Sequence, residues 1–184
     1  MPKYEADTRG SWLFEGGHKF DLSLASGIAD ILAGAGVKTV IDIGCGDGSY
    51  CQYLSGFGFE VVGYDGNPNT EKVTAGNCHT ADFSEPHHFG LHDAVISLEV
   101  GEHIPEDYED IFFENLSRHA DKLIILSWAV PEQGGFGHVN ERENTYIIMA
   151  MGVMGWFIDR EKTDALRSKA TLEWFRETAM VFGK

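Results

Sequence analysis

The chain has 184 residues, of which 43% are hydrophobic, so it can bury a core and is not a disordered polymer. Its formal net charge is −15 and it has no run of Lys and Arg residues, which predicts no DNA partner and disfavours RNA. No apolar run is long enough to cross a bilayer, and residues 1–7 lack the apolar stretch of a signal peptide. We therefore expect a cytoplasmic protein without a membrane partner, whose oligomeric state the composition does not indicate.

The first half of the chain alternates predicted helices with short, apolar predicted strands. Residues 18–33 place apolar side chains three to four positions apart, which predicts an amphipathic helix that Gly34 and Gly36 end. The elements predicted next are a strand over 37–43, a helix over 49–54, a strand over 59–64 and a short strand that ends near 80–83.

The second half continues this alternation. Asn140 and Glu143 have the spacing of a capping box, so we expect a helix from Asn140 to about residue 151. The other predicted elements are strands over 93–98, 122–128, 156–158 and 179–182 and helices over 104–116 and 163–175. Strands that alternate with helices and are apolar on both faces predict an α/β fold with a mostly parallel sheet covered on both sides. Such sheets bind ligands beyond the carboxyl ends of their strands.

A glycine-rich turn follows the first predicted strand. Glycines stand at 44, 46 and 48, where the lack of a Cβ lets the backbone approach a ligand closely. A dinucleotide site requires a further glycine where this chain has Ser49, and the charge of Asp47 is poorly placed beside phosphates. The turn therefore favours an adenosyl ligand without phosphates. We interpret Cys45 as a small residue that fills tight space, because no basic neighbour would activate its thiol.

Acidic residues stand at the ends of the next two strands. Asp65 follows Asp42 by 23 residues, and a carboxylate at this place can accept hydrogen bonds from both ribose hydroxyls. Its alternative role is that of a turn residue before Gly66. Asp82 could accept from an adenine amino group, with Phe83 beside the ring, or it could serve as a turn or cap residue.

Together these residues resemble the class I S-adenosylmethionine-dependent methyltransferases, in particular the small single-domain members (type 11/23-like). Residues 42–48 are similar to the first motif of that family, residues 97–105 are similar to its motif after the fourth strand, and a Gly-His-Val-Asn loop at 137–140 is found in small members. The resemblance implies a Rossmann-like three-layer sandwich whose seven-stranded sheet is mostly parallel with an antiparallel last strand. It also implies one methyltransferase domain over 1–184, with an N-terminal lid segment and helix (1–36) before the catalytic core (37–184).

The resemblance further implies S-adenosylmethionine as the cofactor and S-adenosylhomocysteine as its product. The cofactor-binding residues carried over by position are Asp42, Gly44, Cys45, Gly46, Asp65, Gly66, Asn67, Asp82, Phe83, Leu98 and Glu99. The lid would include Trp12 and Phe14, which could equally be packing residues.

Methyl transfer to an alcohol or phenol needs a base, for which a histidine is the natural side chain. His103 and His138 are predicted to lie in loops at the same edge of the sheet, so they are the candidate catalytic residues. We expect transfer to oxygen or nitrogen of a small-molecule acceptor, with no metal ion.

Several alternatives stay open at this point. Glu99, Glu102, His103 and His138 could instead bind a divalent metal, and they resemble the Glu-x-x-Glu-His pattern of RNA 3′-terminal 2′-O-methyltransferases. An NAD(P)-dependent oxidoreductase and a catalytically silent adenosyl-binding module are the two remaining possibilities.

Overall fold

A seven-stranded β-sheet forms the centre of the structure, a computed structural model that describes residues 5–13 and 16–184. In chain order the strands are β1 (Thr39–Ile43), β2 (Glu60–Asp65), β3 (Cys78–Thr80), β4 (His92–Leu98), β5 (Ala120–Ser127), β6 (Phe157–Ile158) and β7 (Met180–Gly183). Their order across the sheet is β3-β2-β1-β4-β5-β7-β6, with β1 to β5 parallel and β7 antiparallel to both of its neighbours. The predicted fold class, including the antiparallel last strand, is confirmed.

Helices cover both faces of the sheet. They are α1 (Leu22–Gly34), α2 (Ser49–Ser55), α3 (Thr70–Val73), α4 (Glu109–His119), α5 (Asn144–Val153), α6 (Arg160–Lys169) and α7 (Glu173–Thr178). Two short 3-10 turns, Gly101–His103 and Glu106–Tyr108, precede α4. Alternate residues of each strand face opposite sides of the sheet. Side chains such as Ile41 and Ile124 therefore pack with α4 and α5, whereas Val40 and Ile125 pack with α1, α6 and α7.

Asp21 explains two differences from the predicted helices. The first helix begins at Leu22, not at residue 18, because one carboxylate oxygen of Asp21 caps it by accepting the amides of Ser23 and Leu24. The other oxygen accepts the amides of Thr171 and Leu172, at 2.6 and 2.8 Å. Those two residues separate α6 from α7, so the single helix predicted over 163–175 is in fact two.

The predicted capping box is wrong. Helix α5 begins at Asn144, and Glu143 at its N-cap makes no side-chain capping hydrogen bond. Asn140 is buried in tertiary contacts instead: its side-chain amide donates to Glu109 at 2.7 Å, and its backbone carbonyl accepts the indole N–H of Trp128 at 2.6 Å. Asn140 therefore anchors the loop after β5 and does not start a helix.

Among the described residues, none of the helices has both the length and the apolar composition that a membrane crossing requires. The division into a lid segment (1–36) and a core (37–184) stays a prediction.

Candidate active site

A cavity of about 450 Å³ lies at the carboxyl ends of the parallel strands, next to the point between β1 and β4 where the strand order reverses. This is the place where open α/β sheets bind ligands. Twelve of the thirteen predicted site residues line it: Asp42, Gly44, Cys45, Gly46, Asp65, Gly66, Asp82, Phe83, Leu98, Glu99, His103 and His138. The fold thus brings together residues that are up to 96 positions apart in the chain, as counted from residue 42 to residue 138.

Asn67 is the one predicted site residue that does not line the cavity. It is buried, its amide donates to a carboxylate oxygen of Asp65 at 2.8 Å, and its own side-chain oxygen accepts the amide of Asn69 at 2.9 Å. Asn67 therefore shapes the turn after β2 from behind the cavity wall.

The glycine-rich turn needs its glycines for two physical reasons. Gly44, Gly46 and Gly48 all have positive φ angles, of 79°, 57° and 77°, which residues with a Cβ rarely adopt. A Cβ at Gly44 would also lie 2.3 Å from Cγ2 of Val100. The amides of Gly44 and Cys45 both donate to the carbonyl of Tyr64, so β2 holds the turn in place.

Asp65 joins the end of β2 to this turn. Its Oδ2 accepts the amide of Gly46 at 2.8 Å, and its Oδ1 accepts the amide of Asn67 at the same distance. Each carboxylate oxygen can accept a further hydrogen bond, because an ionised carboxylate offers about four lone-pair sites. The side chain can therefore hold the turn and receive ribose hydroxyls at the same time.

Asp42 lies beneath the turn and is buried, with 3% of its surface exposed. Its Oδ2 accepts a hydrogen bond from the thiol of Cys51 at 3.3 Å. Burial raises the pKa of Asp42 to about 7, although the hydrogen bond from the Cys51 thiol lowers it. Cys45, Cys51 and Cys78 are buried free thiols whose sulfur atoms lie within 4.8 Å of one another, which agrees with the interpretation of Cys45 as a packing residue.

Asp82 forms an ion pair with an arginine, a contact that sequence reasoning missed. Its Oδ1 accepts the amide and hydroxyl of Ser84, and its Oδ2 pairs with Nη1 of Arg9 at 3.0 Å. Burial raises the pKa of Asp82, but Ser84 and then Arg9 lower it, so that it ends below its ordinary value. Arg9 also pairs with Glu85. No sequence signal marks this contact, because the two residues are 73 positions apart.

The N-terminal segment borders the cavity, where the lid was predicted. Trp12 stacks on His18 with ring centroids 5.1 Å apart and meets His103 edge-on at 5.3 Å. A Cβ at Gly10 would lie 1.9 Å from the carbonyl oxygen of His103, so the segment is packed closely against the turn after β4. Phe14, the other aromatic residue predicted for the lid, lies outside the described residues.

His103 and His138 both line the cavity and contact each other, with ring centroids 5.0 Å apart. Nδ1 of His103 lies 3.1 Å from the carbonyl of Gly137, and Nδ1 of His138 lies 3.0 Å from a carboxylate oxygen of Glu141. Both partners accept, so Nδ1 of each ring carries a proton. Burial and the neighbouring His138 lower the pKa of His103 to about 4, so His103 is neutral at pH 7.

Two carboxyl groups lie beside these histidines and differ in their partners. Glu99 has an unusual φ of 54°, and its side chain accepts from Gln133 at 2.6 Å and from Thr178 at 3.2 Å. Glu102 is fully buried, and burial together with the charge of Glu99 raises its pKa well above the ordinary value. Sequence reasoning missed Gln133, as it missed Glu141, because loop residues of common polar types carry no distinguishing pattern.

The fold and this cavity define a class I S-adenosylmethionine-dependent methyltransferase domain. A family model described as a methyltransferase domain matches residues 17–132, and the chain belongs to that family. Its cofactor is therefore S-adenosylmethionine, as the family resemblance implied.

Similar proteins of known activity include a curated relative and two solved structures. The chain is 32% identical over 119 residues to the chloroplastic tocopherol O-methyltransferase of Arabidopsis thaliana. The matched region covers 56% of this chain but only 34% of that protein. It is similar in fold to magnesium protoporphyrin IX methyltransferase from Synechocystis PCC 6803 with bound SAH (21% identity, 91% and 88% of the two chains, TM-score 0.61). It is also similar to the sugar N-methyltransferase KedS8 from Streptoalloteichus sp ATCC 53650 (12% identity, 89% and 87%, TM-score 0.71). The chain thus spans about a third of the curated relative.

Proposed function

We propose that the protein transfers the methyl group of S-adenosylmethionine to an oxygen or nitrogen atom of a small-molecule acceptor. One observation carries this proposal: a single cavity is lined by twelve predicted site residues, which include the cofactor residues of the strand ends and the two histidines His103 and His138. The relatives named above act, by their titles, on tocopherol, magnesium protoporphyrin IX and a sugar. The net charge of −15 argues against an RNA acceptor.

The cofactor residues and the two histidines have separate tasks in this proposal. Asp65 receives the ribose hydroxyls, Asp82 and Phe83 lie at the adenine, and the glycine-rich turn with Leu98 and Glu99 encloses the rest of the cofactor. The acceptor enters beside His103 and His138, whose Nε2 atoms face it. The sulfonium supplies the reactivity, so the protein has to align the nucleophile with the methyl group and manage its proton.

Replacing Asp65 with alanine is expected to weaken S-adenosylhomocysteine binding at least about 10-fold, because a hydrogen bond to a charged group contributes about 1.5–3 kcal/mol. Isothermal titration calorimetry measures the change. Asp65→Asn keeps one acceptor oxygen for the amide of Gly46 and should lose less. Asp30→Ala removes an exposed carboxylate that pairs with Lys169 and should change nothing. If Asp65→Ala and Asp30→Ala bind alike, Asp65 does not hold the ribose.

Replacing His138 with alanine is expected to lower kcat about 10²-fold or more, the usual size of a proton-management effect, while S-adenosylhomocysteine affinity stays unchanged. The assay measures S-adenosylhomocysteine release with a panel of small hydroxyl and amine acceptors. His103→Ala should behave in the same way, and His88→Ala, at an exposed loop position, serves as the control. A protein that binds the cofactor but turns over no acceptor of the panel would instead be a silent adenosyl-binding module.

A further inference from the structure

We infer that Arg9 is a positioning residue for the cofactor: its ion pairs with Asp82 and Glu85 fasten the N-terminal hairpin (residues 5–13) over the strand ends where we place the adenosine. The cofactor enters and leaves only when these pairs break. This inference rests on the proposed function and deepens it, because it assigns the control of cofactor release to a residue that is not part of the described cavity lining.

The N-terminal hairpin holds its own shape. Ala6 and Trp12 form an antiparallel bridge between its two arms. The side chain of Asp7 closes the turn between them, because its Oδ1 accepts the amides of Arg9 and Ser11, at 2.8 and 2.9 Å. The hairpin can therefore move as one unit, and it carries Arg9 at a fixed place in its turn.

The turn of the hairpin lines the cavity and packs closely on the ends of two parallel strands. Ser11 lies on Gly66 after β2, where a Cβ at the glycine would be 2.2 Å from the hydroxyl oxygen of the serine. Gly10 lies on the carbonyl of His103 after β4, where a Cβ at Gly10 would be 1.9 Å from the carbonyl oxygen. A ligand bound at these strand ends is therefore covered by the hairpin.

Arg9 extends this cover to the end of β3. Its Nη1 lies 3.0 Å from Oδ2 of Asp82 and also pairs with Glu85. The guanidinium lies over the ring of Tyr108, with 5.7 Å between its central carbon and the ring centroid, which adds a cation–π contact. The arginine side chain is 38% exposed, so solvent can replace these contacts without unfolding of the core.

Asp82 connects Arg9 to the cofactor. It lines the cavity, where we place it at the adenine, whereas Arg9 and Glu85 are outside the lining of the described chain. Oδ1 of Asp82 accepts from Ser84 and Oδ2 accepts from Arg9, and both contacts lower the pKa of Asp82 and fix its orientation. An ionised carboxylate keeps further lone pairs for the adenine amino group. Arg9 therefore orients the adenine acceptor from behind the cavity wall.

Two glycines between the hairpin and α1 provide a joint. Gly16 and Gly17 have φ angles of 93° and 91°, and a Cβ at Gly16 would meet nothing within 4 Å. The backbone conformation, and not a lack of space, therefore favours glycine at position 16. A rigid hairpin, a glycine joint and exposed ion pairs are the parts that a hinged cover needs. The structure shows this cover closed.

The dissociation rate of S-adenosylhomocysteine tests the role of Arg9 without turnover, and stopped-flow tryptophan fluorescence measures it. Arg9→Ala, which removes both ion pairs, is expected to raise the rate about 5- to 10-fold, and Glu85→Gln, which removes one, about 2- to 3-fold. Arg9→Lys retains the charge and should restore most of the wild-type rate. Added salt screens ion pairs, so it should speed release from the wild type but not from Arg9→Ala.

Limited proteolysis reports the opening of the hairpin directly, because trypsin cleaves after arginine. Saturating S-adenosylhomocysteine should slow cleavage between Arg9 and Gly10 in the wild type. Glu85→Gln retains this bond and should be cut faster than the wild type, both with and without the ligand. Mass spectrometry identifies the bond that is cut.

Glu114→Gln is the matched control, because Glu114 forms an exposed ion pair with Arg118 on α4, outside the cavity lining. It should change neither the release rate nor the cleavage, and circular dichroism shows whether each variant is folded. Equal rates in Glu85→Gln and Glu114→Gln overturn the inference, as does a salt effect that persists in Arg9→Ala. Those results in a protein that binds S-adenosylhomocysteine leave the proposed function intact, whereas a wild type that binds none overturns the proposed function.

Discussion

Gly44→Ala is expected to lower the free energy of unfolding by about 2–5 kcal/mol and to abolish measurable cofactor binding. A left-handed backbone costs a residue with a Cβ about 1–2 kcal/mol, and the φ of Gly44 is 79°. The new Cβ would also lie 2.3 Å from Cγ2 of Val100, and overpacking in a core costs about 1–3 kcal/mol more. Chemical denaturation measures the stability, and calorimetry with S-adenosylhomocysteine measures the binding.

Gly36→Ala separates the cost of the left-handed backbone conformation from the cost of the steric overlap with Val100. Gly36 has a similar φ of 64°, but a Cβ there would meet nothing within 4 Å, so this variant carries only the backbone cost. Adding Val100→Ala to Gly44→Ala should recover part of the lost stability, because it removes the overlapping methyl groups. If Gly44→Ala is no less stable than Gly36→Ala, the overlap with Val100 is relieved without cost and the turn is less tightly packed than the structure indicates.

The elements that sequence reasoning predicted best are those whose information is local. The strand before Gly44 is short and largely apolar, and the turn after it is marked by three glycines, each of which has a positive φ in the structure. Asp65 and Asp82 were found for the same reason, since each directly follows a recognisable strand. Parallel strands place their carboxyl ends at one edge, so the sheet itself brings these local signals together.

The contacts that sequence reasoning missed join residues far apart in the chain. Asp21 fixes the break between α6 and α7 across 150 positions, and Arg9 reaches Asp82 across 73. Asn140 matched a local capping pattern but is held by Glu109 and Trp128, so tertiary contacts overrode the local preference. A single sequence does not show which of many acidic and amide side chains will meet.

Residues that contact the cofactor leave local patterns in the sequence, whereas residues that contact the acceptor do not. The cofactor end is built from strand ends and a glycine turn, which leave a pattern in the sequence. The acceptor end depends on Gln133, Glu141 and the N-terminal segment, which are loop residues brought together by the fold. This is why the methyl donor could be predicted from the chain and the methyl acceptor could not.

Asp42→Asn is expected to stabilise the cofactor-free protein, and to do so more as the pH rises. The pKa of Asp42 is about 7 in the folded chain, against 3.8 for an ordinary aspartate. Below pH 3.8 Asp42 is protonated in both the folded and the unfolded chain, so its ionisation does not change the free energy of unfolding. Between about pH 4 and pH 7 the unfolded chain releases its proton while the folded chain retains it, so stability falls. Above pH 7 the cost is complete, on the order of 4 kcal/mol for a shift of this size.

Denaturation curves at pH 5 and pH 8 measure this difference. Asp42→Asn cannot ionise, so its advantage over the wild type should be larger at pH 8 than at pH 5. Asp93→Asn is a control of opposite sign, because hydrogen bonds from Lys122 and from the amides of Lys38 and Thr39 lower the pKa of Asp93 to about 2. That variant should lose stability at both pH values. An advantage of Asp42→Asn that does not change with pH would mean that Asp42 titrates normally.

The destabilisation by ionised Asp42 should depend on cofactor binding, because Asp42 lines the cavity in which we place the cofactor. A ligand that brings a positive charge stabilises a buried carboxylate that lacks a cationic partner, and so lowers the pKa of that carboxyl group. Cofactor binding should therefore offset the loss of unfolding free energy that ionised Asp42 causes. It should stabilise the wild type more at pH 8 than at pH 5. In Asp42→Asn this pH dependence should disappear, since no charge is left for the ligand to compensate.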